Sequence, residues 1–438
     1  MRIILKFLLI GSWRTVICLS IFTVLADVIL ASLYNTILSN TSHELILAIY
    51  VILNLLFIGV VWKILFLVRQ NPLEVKGSFM RISQILTWLL QIMITIFIVT
   101  LLLEILSSGK YTQAIVSYSQ FAGLVGGTIM LSILLRQLIY SYRKYKDTLL
   151  LLYSVAILST IAYFVMVTAL TYLVIPDKPS FVVQSSLNTH VYLPIDSIER
   201  SVAKIVPYFQ DLSFLLLWIA SGFLLRYQLK KRSRLALLIL LSTPALYFFG
   251  RFVDISYLIL LIGESNVTAA IVSIIVRSLS PLVGGLIFGL SFYYTSKSLP
   301  KNSKLRTYLN ITGHGFIILL ISNQYNIILH YPYPPYGLLA ISSTYLGGYL
   351  LLVGIYSTAL SSAQNIKIHN EISKIVQANS KFSHEMAKAV FIDGIEKQIT
   401  KIEKGIEEDS GVESVPDPKE LRDYIEQIIE QKKKTVRK

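Results

Sequence analysis

Three side chains that carry a full charge stand inside long apolar stretches. Arg251 and Asp254 belong to Tyr247-Phe-Phe-Gly-Arg-Phe-Val-Asp254, and Arg277 lies downstream in Val276-Arg-Ser-Leu-Ser-Pro281. Residues three apart share a helical face, which puts Arg251 beside Asp254. If the two stretches form an antiparallel hairpin, both guanidiniums sit roughly 16–18 Å into it, at 1.5 Å per residue. An uncompensated charge at that depth costs at least ~2.5–3.5 kcal/mol. Such groups are retained when they pair, line a wet cavity or bind something. Asp27, in the first apolar stretch, adds a second carboxylate, and His314 stands in the ninth. Two carboxylates facing two guanidiniums make a nearly neutral network. It reads either as a ligand site, gate or proton path, or as salt-bridged glue between helices. His314 alone reads as a hydrogen-bonded packing histidine.

The other chemical signals are sparse. Phe382-Ser-His-Glu-Met386 resembles the phosphoacceptor box of sensor histidine kinases. That resemblance makes His384 the phosphorylated residue and Glu385 its acid/base partner. Ala389 stands where the box has proline, and the remaining 52 residues hold no ATP-binding domain, so a charged stripe on a helix is the plainer reading. No His-Glu-x-x-His, paired cysteine, P-loop or Gly-x-Ser-x-Gly occurs, so no metal, cofactor or enzymatic activity is expected. With Cys18 as the single cysteine, no internal disulfide forms.

The elements that must position these residues are membrane helices. Hydrophobic residues make up 54% of the 438 positions and charged ones only 15%, which no ordinary soluble domain shows. Apolar stretches fall at about 15–38, 45–68, 82–106, 113–137, 148–175, 207–228, 235–263, 267–296, 305–328 and 337–362. Each is long enough for a ~30 Å hydrocarbon core. The expected fold is an all-α integral membrane protein of about ten transmembrane helices, residues 1–363, followed by a helical tail, 364–438.

Charge orients the chain. The net +15 lies wholly in residues 1–363, with 26 basic against 11 acidic side chains; the tail carries 14 of each. The basic residues cluster in alternate short loops, such as Arg143, Lys144 and Lys146, and again Lys230, Lys231, Arg232 and Arg234. That pattern orients a protein in a bilayer and does not indicate nucleic-acid binding. It places both termini in the cytoplasm. The sequence Met-Arg-Ile-Ile-Leu-Lys-Phe at the start reads as an interfacial lead-in to the first span.

On the outer side, segment 176–206 contains extended-looking runs at Ser180 and His190, then Ile195, Ile198, Val202 and Ile205 at helical spacing. It reads as a short amphipathic helix, resting at the lipid interface or serving as a lid. Tyr331-Pro-Tyr-Pro-Pro-Tyr-Gly337 reads as a headgroup-level loop, with recognition of a sugar or peptide as the alternative. Asn40 and Asn266 head N-glycosylation patterns near outer helix ends. Gly123-Leu-Val-Gly-Gly127 echoes Pro281-Leu-Val-Gly-Gly285, a sign of close helix packing in repeated hairpins. In the tail, Ile368, Ile372, Ile375, Phe382 and Met386 run at three–four spacing, and Ile395, Ile399, Ile402 and Ile406 resume it. A coiled-coil-like helix is expected, able to make a homodimer or bind a cytoplasmic partner through 364–410.

Ser322-Asn-Gln, the Tyr331–Gly337 loop and Tyr349-Leu-Leu-Leu-Val-Gly-Ile-Tyr-Ser357 resemble an uncharacterised family of polytopic membrane proteins of ammonia-oxidising-type archaea, over roughly 275–410. The resemblance implies an archaeal cell membrane and brings no activity. More loosely, hairpin helices followed by an emerging helix are similar to membrane sensor domains. The expected function is a sensor that relays a small-ligand or membrane signal to the cytoplasmic helix. A small-solute or lipid transporter and a structural subunit of a membrane complex are the alternatives.

Overall fold

A computed structural model describes residues 13–33, 42–70, 78–175, 181–183, 189–190, 197–229, 234–253, 257, 266–297, 299, 304–322 and 330–378. The protein is a helical bundle. Its helices are α1 (Trp13–Leu33), α2 (His43–Gln70), α3 (Ser78–Ser108), α4 (Gln113–Tyr145), α5 (Thr148–Val174), α6 (Ile198–Leu229), α7 (Arg234–Phe252), α8 (Asn266–Lys297), α9 (Lys304–Ser322), α10 (Leu338–Ser342) and α11 (Thr344–Ala378).

Each junction has a local cause. Gly109 takes φ 63, a left-handed turn that closes the α3–α4 connection. Glu104 at the end of α3 then accepts from the Thr112 backbone N–H at 2.7 Å and its hydroxyl at 2.9 Å, holding the residue that precedes α4. Asp147 caps α5 by accepting from the Leu149 N–H at 2.9 Å. Residues 181–183 and 189–190 are tied down by two small antiparallel pairs. β1 (Lys110–Thr112) pairs with β2 (Phe181–Val183), and β3 (Thr189–His190) pairs with β4 (His330–Tyr331).

Helices α4 to α9 pack in chain order, and α11 lies between α9 and α4. Helix α1 lies on α8, α9 and α10, with α2 against it. From Ile311 to Ser322 and from Pro332 to Ser361 every residue is buried. Helix α9 from Ile311 onward and the first half of α11 are therefore enclosed by the rest of the bundle.

The expected count of ten transmembrane helices is corrected to six. Among the described residues, six helices are long and apolar enough to cross a membrane: His43–Val68, Phe79–Ser108, Gln113–Tyr145, Thr148–Val174, Ile198–Leu225 and Leu338–Ser361. The remaining stretches are shorter or more polar over the described residues. There α1 and α7 give the shorter apolar helices Thr15–Ala31 and Leu238–Gly250. Helix α9 has 19 residues and carries Asn310, Thr312 and His314. The described half of α8 carries Ser280, Pro281, Ser291, Thr295, Ser296 and Lys297. The all-α, multi-pass membrane class stands.

Two local expectations also change. The amphipathic stretch at 195–205 forms no separate surface helix; from Ile198 it is the start of the 32-residue α6, with Pro207 inside it. Ile198 is 71% exposed there and Val206 is buried, so the buried stripe differs from the expected one. The Tyr-Pro loop does not turn its tyrosines outward as a headgroup anchor would, because Tyr333 and Tyr336 are only 1% and 2% exposed. The termini, the glycosylation position Asn40 and the tail beyond Ala378, including His384, lie outside the described residues.

Candidate functional site

One cluster of buried polar groups meets where α10 breaks and α11 begins. Their first source is α1. Ser20, Thr23 and Asp27 are spaced three and four apart, so they share one face, and all three are buried. Thr23 and Ser20 turn their hydroxyls back to the carbonyls of Ser20 and Ile17 at 2.9 and 2.8 Å. Ser20 also meets His314 Nε2 of α9 at 3.1 Å. Seven residues on, roughly 10 Å along the helix, Asp27 reaches α10. Its two carboxylate oxygens accept from the backbone N–H groups of Gly337 at 2.9 Å and Ala340 at 3.0 Å. A helix start leaves such N–H groups without internal partners. Gly337, at φ 92, offers no side-chain cap, and the carboxylate from α1 takes that role.

Further bonds hold the elbow from other helices. Ser119 of α4 meets Ser342 at 3.0 Å, and Ser322 of α9 meets Ser343 at 2.8 Å. The Tyr345 hydroxyl donates to the Gln91 side-chain oxygen of α3. Helix α4 can come this close because Gly123 has no side chain. A Cβ there would stand 2.7 Å from the Ile341 carbonyl oxygen and 2.8 Å from the Ser342 Cα. Ser343 and Thr344 turn their hydroxyls onto the carbonyls of Ala340 and Ile341, at 2.7 Å each. Hydroxyls that compete for backbone groups favour a break over an unbroken helix.

The Tyr-Pro loop seats the elbow from the other end. Tyr336 donates to the Ile46 carbonyl at 2.7 Å and meets the Tyr50 ring edge-on, with centroids 5.3 Å apart. Tyr111 donates to the Pro332 carbonyl at 2.8 Å. Tyr333 is stacked between His43 and Tyr111, at 5.4 and 6.0 Å. Burial raises the Tyr333 phenol above its ordinary value, so it stays neutral in that stack at neutral pH.

The residues singled out in the sequence separate into two groups. Asp27 and His314 both lie at the α1 interface, Asp27 on the elbow and His314 on Ser20. Arg251 lies near the end of α7 and Arg277 within α8, but their side chains, and Asp254 entirely, lie outside the described residues. Helices α7 and α8 do run antiparallel. The Ser280 hydroxyl donates to the Leu246 carbonyl and accepts from the Gly250 N–H at 3.0 Å. A Cβ on Gly284 would stand 2.6 Å from the Tyr247 Cα. That register brings the backbones of Arg251 and Arg277 to within about one helical turn in level. Sequence reasoning missed Ser119, Ser322, Ser342, Ser343 and Gln91. The run Ser342-Ser343-Thr344 inside an apolar stretch was the available signal for the break.

Among the described residues no three histidine, cysteine, aspartate or glutamate side chains gather to hold a metal ion. No protein-family model, curated protein or solved structure matches the chain.

Proposed function

We propose that this multi-pass membrane protein is a sensor in which the α10–α11 elbow receives a signal and α11 relays it to the cytoplasmic tail. One observation carries the reading. Helix α11 is a single helix of 35 residues, from the hydroxyl-clamped elbow at Thr344 to Ala378. Its first half is locked among other helices and the rest continues about 25 Å past Ser361 at the rise of an α-helix. A rod anchored at a polar hub transmits a small shift or rotation of the hub to its far end. The tail then acts through a second copy of the chain or a cytoplasmic partner along 364–410. The cytoplasmic placement of that end rests on the basic loops.

Transport is the second reading, favoured by one feature. A short helix whose start meets a buried carboxylate, followed by a break, resembles the discontinuous helices of secondary transporters.

The relay is tested with nitroxide labels on Lys146→Cys and Ser373→Cys in a Cys18→Ser background, in nanodiscs. Asp27→Asn is expected to shift the interlabel distance by roughly 2–5 Å, the scale of helix shifts and one-turn slips. An unchanged distance in a folded Asp27→Asn protein would reject the relay.

A further inference from the structure

On α2, which packs against α1, two buried oxygens lack a hydrogen-bond partner. Asn54 and Tyr50 are four residues apart on α2, so one sits above the other on the same face. Both are wholly buried. Asn54 spends its amide N–H on the Tyr50 carbonyl at 2.8 Å, which leaves its Oδ1 without a donor. The Tyr50 hydroxyl adjoins that amide without reaching hydrogen-bond geometry, and it too has no partner. The Tyr50 phenol is within electrostatic reach of Asp27, and its ring packs against Tyr336. Buried polar atoms of native proteins are nearly always satisfied, so two neighbouring exceptions point to an absent occupant.

The chemistry of that occupant follows from the atoms around it. Asn54 Oδ1 is an acceptor, and the Tyr50 oxygen has lone pairs free. The Asp27 carboxylate receives the backbone N–H groups of Gly337 and Ala340, adjoins that of Leu339, and still keeps a lone pair. The charge balance favours a single positive charge. The start of a helix contributes about half a positive charge at most, and α10 has only five residues, so the carboxylate remains the larger charge. A divalent ion is a poor fit, since calcium sites usually gather several carboxylates and magnesium keeps several waters, and this place has one carboxylate. Among the described residues the other titratable groups turned toward this place are Tyr336 from the loop and, two turns away along α1, His314 from α9. Helix α10 contributes none.

We propose that Asp27, Tyr50 and Asn54 form a binding site for one monovalent cation, a proton or a sodium ion. As a proton, it bonds to one Asp27 oxygen and the resulting O–H donates to the orphan acceptor on α2. As sodium, it sits among the three side-chain oxygens. Either way the charge of Asp27 is offset, its hold on the Gly337 and Ala340 N–H groups weakens, and the elbow loosens. The consequence for the tail rests on the sensor reading; the binding does not.

The test uses the full chain in detergent, with thermal unfolding as the readout. In one series sodium chloride replaces choline chloride at constant ionic strength and pH 8. In the other, pH is varied from 8.5 to 5 in choline chloride alone. The variants are Asp27→Asn, Asn54→Leu and Tyr50→Phe; the last removes only a hydroxyl and keeps the ring, so it folds if either of the others does not. A sodium-dependent rise of a few degrees in wild type, reduced in Tyr50→Phe and absent in Asp27→Asn, identifies a sodium site. No sodium effect, with wild type gaining on Asp27→Asn as pH falls and Tyr50→Phe gaining less, identifies a proton site. That sign follows because a proton held more tightly by the folded chain than by the unfolded one stabilises it. Parallel responses of wild type and all variants in both series overturn the proposal. Because the readout is binding, it can fail while the spin-label relay stands, and the reverse.

Discussion

Trp218 donates its indole N–H to the Leu240 carbonyl at 2.8 Å, the carbonyl that Pro244 deprives of its helical donor. Proline at position 244 has no N–H to give to the residue four before it, so α7 carries an open acceptor in mid-helix. The indole of α6 closes it and fixes the two helices together where they otherwise touch little. Trp218→Phe is expected to cost about 1–3 kcal/mol by stranding that carbonyl. In a Pro244→Ala background the same change should cost less, since the helix then satisfies itself. A double-mutant cycle on unfolding in detergent measures the coupling.

Asp27 should be the most costly polar side chain at the elbow to remove. Asp27→Ala leaves two N–H groups of α10 buried without an acceptor and is expected to lose about 2–4 kcal/mol, at about 1–3 per stranded group less some relaxation. Hydrogen exchange across residues 330–342 should accelerate in the same variant, while peptides from α5 keep their protection.

Gly123 and Gly222 should respond in opposite directions to the same change. A Cβ on Gly123 meets the backbone of Ile341 and Ser342, which cannot swing aside, whereas nothing lies within 4 Å of one on Gly222. Gly123→Ala is expected to destabilise by about 1–3 kcal/mol through overpacking. Gly222→Ala should stabilise α6 by roughly 0.5–1 kcal/mol. Thermal unfolding of the two variants side by side checks both signs.

Ser280 is inserted between the Leu246 carbonyl and the Gly250 N–H of the neighbouring helix. Ser280→Ala should cost about 1–2 kcal/mol, because both backbone groups lose that partner. Ser280→Thr keeps the hydroxyl and should recover part of the loss if the added methyl fits. Unfolding midpoints in denaturant rank the three proteins.

The membrane class was legible because it depends on composition and run length, which no packing detail alters. Asp27 was legible for a related reason: a carboxylate in an apolar stretch has few permitted fates. Its partner was not legible. Backbone N–H groups carry no residue type, so no pattern of charges could have pointed from Asp27 to Gly337 and Ala340. The Tyr-Pro loop misled because tyrosine suits both a headgroup layer and a buried hydrogen-bonded stack. What buries it is non-local, with His43 from α2, Tyr111 from β1 and the β3–β4 pair meeting over it. The count of spans erred at α9 because an apolar run was read as a membrane helix regardless of the Asn310, Thr312 and His314 it carries. In α9 those polar and small residues face other helices, where hydroxyls and glycines are useful for close packing.

The enclosure of α9 and α11 has a bearing on how the molecule is made. Helix α11 follows in the chain every helix that packs against it, and α9 follows its neighbours α1 and α8. Segments synthesised earlier assemble first. The surrounding helices therefore stand in the bilayer as an unfilled socket until the last two arrive. Helix α9, short and rich in hydroxyls and glycines, gains little by facing lipid, and its stable position exists only inside that socket. A ribosome stalled before Thr344 would leave a membrane protein with its walls built and its centre missing, a form that quality-control proteases are suited to remove.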